Sequence, residues 1–148
     1  MIHYRNTVRK SGIDARAVKR VASQLLVAVG RGKASLSISF VSDTAIARLN
    51  AIHRGKKKPT DVLSFPLEPD PSMPGEELLG DIVIGVPTAM RQAALYDASL
   101  QREVERLLIH GVLHLLGHDH EEAAEREVMI AQERRLAAAI GMPWPYDS

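Results

Sequence analysis

Four histidines fall within eleven residues of this 148-residue chain, in the run HGVLHLLGHDH from His110 to His120. His110 and His114 are four apart, so in an α-helix both imidazoles leave the same face about one turn from each other. Gly117 can turn the backbone without a Cβ penalty and bring His120 back toward the pair from outside the helix. Three neutral imidazoles suit zinc and leave its fourth tetrahedral position open for water or substrate, as a catalytic site requires. Two histidines four apart are ordinary as packing or surface residues, and it is the third, beyond a glycine, that favours a metal site. His118, beside the turn, is a poorer ligand and can equally face substrate or solvent. Asp119 reads as a cap or as an acceptor that orients an imidazole.

The spacing H-x-x-x-H-x-x-G-x-x-H matches the ligand frame of the metzincin proteases, which carry a glutamate directly after the first histidine as general base. Here that position is Gly111. Without the carboxylate, peptide hydrolysis by the usual arrangement has no proton acceptor, so the motif that first suggests a protease also disfavours one.

The elements that must hold this cluster alternate between helix and strand. Ile2 and Tyr4 suggest a short first strand, and Val18, Val21, Leu25, Leu26 and Val29 recur at helical spacing between Asp14 and Gly30. Leu36, Ile38 and Phe40 alternate with Ser35, Ser37 and Ser39, a period of two that argues for a strand with one buried face. Ser42 can cap a helix whose inward stripe is Ala45, Ile46 and Leu49. Asp61 to Phe65 is a candidate strand ended by Pro66, followed by a proline-rich acidic loop to Glu77. Leu79 to Val86 is again extended, Pro87 suits the first turn of a helix, and a further helix after Ser99 buries Leu100, Val104, Leu107 and Leu108 on its way to the histidines. Beyond His120, Glu121 and Glu122 favour a helix start, with Val128, Met129, Leu136 and Ile140 as core contacts. The terminal Pro143, Trp144, Pro145 and Tyr146 are expected to pack on the domain. The expected fold is therefore α+β: a small mixed β-sheet packed against several helices, with the three-histidine metal site on a helix and the following turn, all in a single domain spanning 1–148.

Composition bounds the rest. A chain of this length can bury about 68 to 70% of its unfolded surface. There are no cysteines, which excludes disulfides and thiolate metal ligands. No apolar run approaches the roughly 18 residues of a membrane span, and MIHYRNTVRK lacks a signal-peptide core, so a cytoplasmic protein with no membrane partner is expected. The net charge is only +1, but residues 1–60 hold 13 Lys plus Arg against 2 acidic residues, and residues 61–148 hold 6 against 16. That division permits a basic patch able to bind a phosphate backbone, although a solvated surface with local sign bias would give the same numbers.

Taken together, HGVLHLLGHDH, the stretch LNAIHRGKKKPTDVLSFP from Leu49 to Pro66, and LGDIVI from Leu79 to Ile84 resemble the YbeY family of bacterial rRNA maturation factors, also described as metal-dependent endoribonucleases. The chain departs from the family at His118, where tyrosine is common, and at Lys57, where aspartate is frequent. The resemblance runs from the first expected helix through Met129. It implies His110, His114 and His120 as zinc ligands and Arg54 as a cleft arginine. It also implies structured or partly single-stranded RNA as substrate, particularly rRNA during processing of the small ribosomal subunit, with small-subunit components and a ribosome-associated GTPase as partners.

The chemistry of these residues is compatible with RNA cleavage. Arg54 can hold a phosphate through bidentate, charge-assisted hydrogen bonds, and Lys56, Lys57 and Lys58 add a less directional positive field. Zinc can polarise a phosphoryl oxygen and lower the pKa of bound water toward about 7. Either such water or the RNA's own 2'-hydroxyl can then attack phosphorus while Arg54 stabilises the developing charge. No general base is assigned: Asp81, Asp61 and Ser64 each have an equally good local role as a cap or backbone partner. The alternatives are a non-catalytic assembly factor whose zinc stabilises an RNA-binding surface and, less favoured, another zinc hydrolase such as a metalloprotease.

Overall fold

In the computed structural model, residues 1–67, 72, 77–119 and 121–144 are described. His120, most of the acidic loop before Glu77, and Pro145 and Tyr146 lie outside them. Among the described residues the elements run β1 (Ile2–Asn6), α1 (Ala15–Ala28), β2 (Ser35–Val41), α2 (Asp43–Arg54), β3 (Val62–Pro66), β4 (Leu78–Gly85), α3 (Val86–Leu95), α4 (Leu100–Leu115) and α5 (Ala123–Ala139).

Local chemistry sets several of these limits. The side chains of Asp14, Ser42 and Ser99 each accept from a backbone N–H three residues on, satisfying donors that the first turn of α1, α2 and α4 would leave open. Pro87 sits in the first turn of α3, where its missing N–H costs nothing. Gly55 closes α2 at φ 70°, a left-handed conformation that glycine adopts freely, and so turns the chain directly after Arg54.

The sheet order is β1-β2-β4-β3. β1 and β4 run parallel to the central β2, and β3 pairs antiparallel with β4. The result is the α+β fold with a small mixed sheet that the sequence pattern suggests. Leu36, Ile38, Phe40, Ile82 and Ile84 point to one face, where Val18, Leu25, Val104, Leu107, Leu108 and Val112 from α1 and α4 bury them. The alternate residues Leu63 and Val83 point to the other face and pack against Ile46 of α2. Helices thus cover both faces, unequally.

Two expectations are corrected. Val128 is 54% exposed, because the inward stripe of α5 is Met129, Glu133, Leu136 and Ala137. Val128 precedes that stripe by one residue, about 100° round the helix. At the C-terminus Trp144 packs against the core as expected, but Pro143 is exposed and Met142 is the more deeply buried residue. Among the described residues, no helix is long and apolar enough to cross a membrane.

Candidate active site

A cleft of about 580 Å³ opens along β3, one of the two edge strands of the sheet. Its walls are the C-terminal end of α2, which brings His53 and Arg54, and the last two turns of α4, which bring His110 and His114. Residues Thr60 to Pro66 form the floor. Asn50, buried in α2, donates to the carbonyl of Lys58 at 2.9 Å and ties the Gly55–Pro59 loop back to the helix that carries Arg54. Arg54, Lys56, Lys57 and Lys58 are exposed.

The helical spacing of His110 and His114 does what it implies. Their Nε2 atoms face each other at 3.0 Å, with ring planes 73° apart. His110 is held from behind: its Nδ1 lies 2.6 Å from Oε1 of Glu133 on α5. A carboxylate only accepts, so Nδ1–H donates to Glu133 and the lone pair of a neutral His110 is fixed on Nε2, inside the cleft. Two ligands of one tetrahedral zinc, each about 2.0 to 2.1 Å from the metal, have nitrogens roughly 3.3 Å apart, close to the observed separation. These two nitrogens are therefore spaced to serve as two of the ligands of one ion. Among the described residues no group of three or more metal-binding side chains gathers, and His120, the third expected ligand, lies outside them.

Other candidates separate cleanly. Ser64 Oγ donates to the carbonyl of Gly111 at 3.3 Å and so ties β3 to α4 beneath the histidines. Asp61 lines the cleft, but its Oδ1 accepts from the backbone of Val62 at 2.8 Å. Its Oδ2 is 3.9 Å from Arg106. Arg106 in turn pairs with Glu103, whose side chain is wholly buried, at 2.6 Å. Gln92, with its amide turned to donate, reaches Glu103 at 3.2 Å and Asp61 at 3.1 Å. Asp61 is thus one member of a polar network joining β3, α3 and α4. Asp81 is not in the cleft; it lines a neighbouring groove that shares His53 and Phe65 with it. His118 and Asp119 line a third space with Gly117 and Glu125, and Gly117 makes the expected turn at φ 96°.

Glu133 escapes sequence reading because it lies 23 residues from its partner. A signal was present: it occupies an inward position of the α5 stripe, where an unpaired carboxylate would be costly. His53 and Phe65 were missed as a pair; their rings are 4.6 Å apart and both line the cleft. Gly111 is buried against the sheet, and a Cβ there would stand 2.9 Å from Cδ1 of Ile82.

The chain is similar to known proteins over most of its length. The family model for endoribonuclease YbeY matches residues 3–141. The chain is 48% identical over 118 residues to the endoribonuclease YbeY of Moorella thermoacetica, covering 75% of this chain and 76% of that one. It is 39% identical over 145 residues to the Halorhodospira halophila protein of the same name, covering 97% and 94%. The solution structure of TM1509 from Thermotoga maritima superposes with a TM-score of 0.61 at 27% identity, covering 95% of this chain and 90% of that one. The residues that line the cleft fall inside the matched span, and the chain belongs to the YbeY endoribonuclease family.

Proposed function

We propose that this chain is a zinc-dependent endoribonuclease that prefers single-stranded RNA and acts in rRNA maturation during biogenesis of the small ribosomal subunit. The observation that carries the reading is the paired Nε2 atoms of His110 and His114, 3.0 Å apart, with Glu133 fixing His110 from behind. They share their cleft with Arg54. His110 and His114, with His120 as third ligand, would hold zinc, which when bound supplies Lewis acidity to a phosphoryl oxygen.

The chain's own residues do the rest. Arg54 offers a planar fork of donors to a phosphate and stabilises charge that grows as the P–O bond breaks. Lys56, Lys57 and Lys58 raise the local concentration of polyanion without fixing its register. Gly111 leaves the position after the first histidine without a carboxylate, which weakens a peptidase reading, and Arg54 directs the site toward phosphate. Small-subunit components and a ribosome-associated GTPase are the partners this reading assigns, in the cytoplasm.

The test is turnover of single-stranded RNA by purified, zinc-loaded protein beside the His114→Ala variant. Loss of cleavage in the variant, with circular dichroism and RNA binding retained, is the expected result. Equal cleavage by both proteins would sink the metal mechanism, and RNA binding without cleavage by the wild type would instead favour a zinc-stabilised assembly factor. Products ending in a 2',3'-cyclic phosphate would identify the 2'-hydroxyl, rather than water, as nucleophile.

A further inference from the structure

Of the side chains lining the histidine cleft that can take up a proton, most are already engaged. Asp61 Oδ1 accepts from the backbone of Val62 at 2.8 Å and from the Thr60 hydroxyl at 3.3 Å, while its Oδ2 faces Arg106 and the Gln92 amide. Ser64 Oγ donates to the carbonyl of Gly111. His110 gives its Nδ1–H to Glu133, and its Nε2 faces that of His114 where the proposed reading puts the metal. His53 differs from all of these. It stands in the last turn of α2 beside Arg54, is exposed, and packs its ring on Phe65 with centroids 4.6 Å apart and planes at 54°. Among the described residues no protein group hydrogen-bonds either of its nitrogens. The Phe65 contact thus restrains the ring while leaving both nitrogens to solvent or substrate.

We infer that His53 is the general base of this site, taking the proton of the hydroxyl that attacks phosphorus, an inference that rests on the ribonuclease reading above. Imidazole suits that task near neutral pH, because its charge change falls between about pH 5 and 8. Arg54, the next residue, lines the same cleft and offers a phosphate its fork of donors, so a phosphodiester held there lies on the wall that carries the imidazole. The attacking hydroxyl, the RNA's own or that of water, forms its bond to phosphorus as its proton passes to the neutral nitrogen of His53. The P–O bond to the leaving nucleotide breaks with its electron pair, and that oxygen takes a proton from a solvent water. The hydroxide so formed returns the imidazolium to neutral. Arg54, Asp61, His110 and His114 share the cleft with His53, and His3, Arg5 and Asp81 share the adjoining groove, so the ring sits among charges of both signs.

The experiment measures single-turnover cleavage of a labelled single-stranded oligoribonucleotide by the full chain with zinc in excess, comparing wild type with His53→Ala, His53→Phe, Arg54→Ala and His114→Ala. Both His53 variants should lose about 10²- to 10⁴-fold in rate, with melting temperature and RNA affinity unchanged. Phenylalanine keeps a ring against Phe65 and removes the nitrogens, which separates packing from proton transfer. Imidazole added to the buffer should restore His53→Ala saturably and leave Arg54→Ala slow. Relative to wild type, the restoration should grow as pH rises and free imidazole becomes neutral. A His53→Phe variant as fast as wild type, or slow His53 variants that imidazole does not restore, would overturn the assignment, while loss of cleavage in His114→Ala would keep the ribonuclease reading standing. No cleavage by the wild type would overturn both.

Discussion

Glu133 is the residue on which the histidine site turns. It is 7% exposed and spends its carboxylate on the nitrogen of His110 that faces away from the cleft. Groups that orient a metal-bound imidazole in this way are typically worth about 10- to 100-fold in affinity. Glu133→Gln should therefore lower zinc affinity by about that factor, measured by chelator competition, while the metal-free protein keeps its far-ultraviolet circular dichroism. An unchanged affinity would mean that Glu133 only packs. The pairing of His110 with His114 was legible because helical geometry is local and i,i+4 fixes it. The partner of His110 was not, since hydrogen bonds between α4 and α5 depend on how the helices cross, which no local pattern encodes. Asp119, a nearer carboxylate considered for such a role, lines a different space.

At the scale of elements, a polar network beneath the cleft sets the position of β3 relative to α4. Glu103 is 0% exposed on the inner side of α4, and Arg106 supplies its opposite charge through two nitrogens, at 2.6 and 3.0 Å. Removing one partner of a buried pair leaves the other charge uncompensated, at a cost of about 3 to 5 kcal/mol. Arg106→Met should lower unfolding stability by that amount in urea titration; a loss below about 1 kcal/mol would show that solvent already screens Glu103. Helix limits were the most readable part of the fold, because caps such as Asp14, Ser42 and Ser99 act within one turn. Strand existence was readable from period-two patterning, as in β2. Strand order and the reversed direction of β3 were not. They depend on pairings between segments far apart in sequence, and Val62–Pro66 has the same apolar character in either direction.

For the whole molecule, the basic first portion and the acidic second one both contribute to the cleft. Arg54 comes from the first and His110 and His114 from the second. On the proposed reading, zinc held by these histidines would favour the native chain over the unfolded one, and at 100 times its dissociation constant it should add about 2.7 kcal/mol. For a chain of this size that corresponds to a rise in melting temperature of about 5 to 10 °C, absent in His110→Ala. An equal rise in that variant would place the metal elsewhere. Gly111 carries a different consequence. It lets α4 lie so close to the sheet that even a methyl group would press on the side chain of Ile82. A glutamate installed there would have to displace the Ile82 side chain or the helix and bury a carboxylate against isoleucine. Converting this histidine frame to that of a peptidase thus requires repacking around Ile82 as well as a new carboxylate.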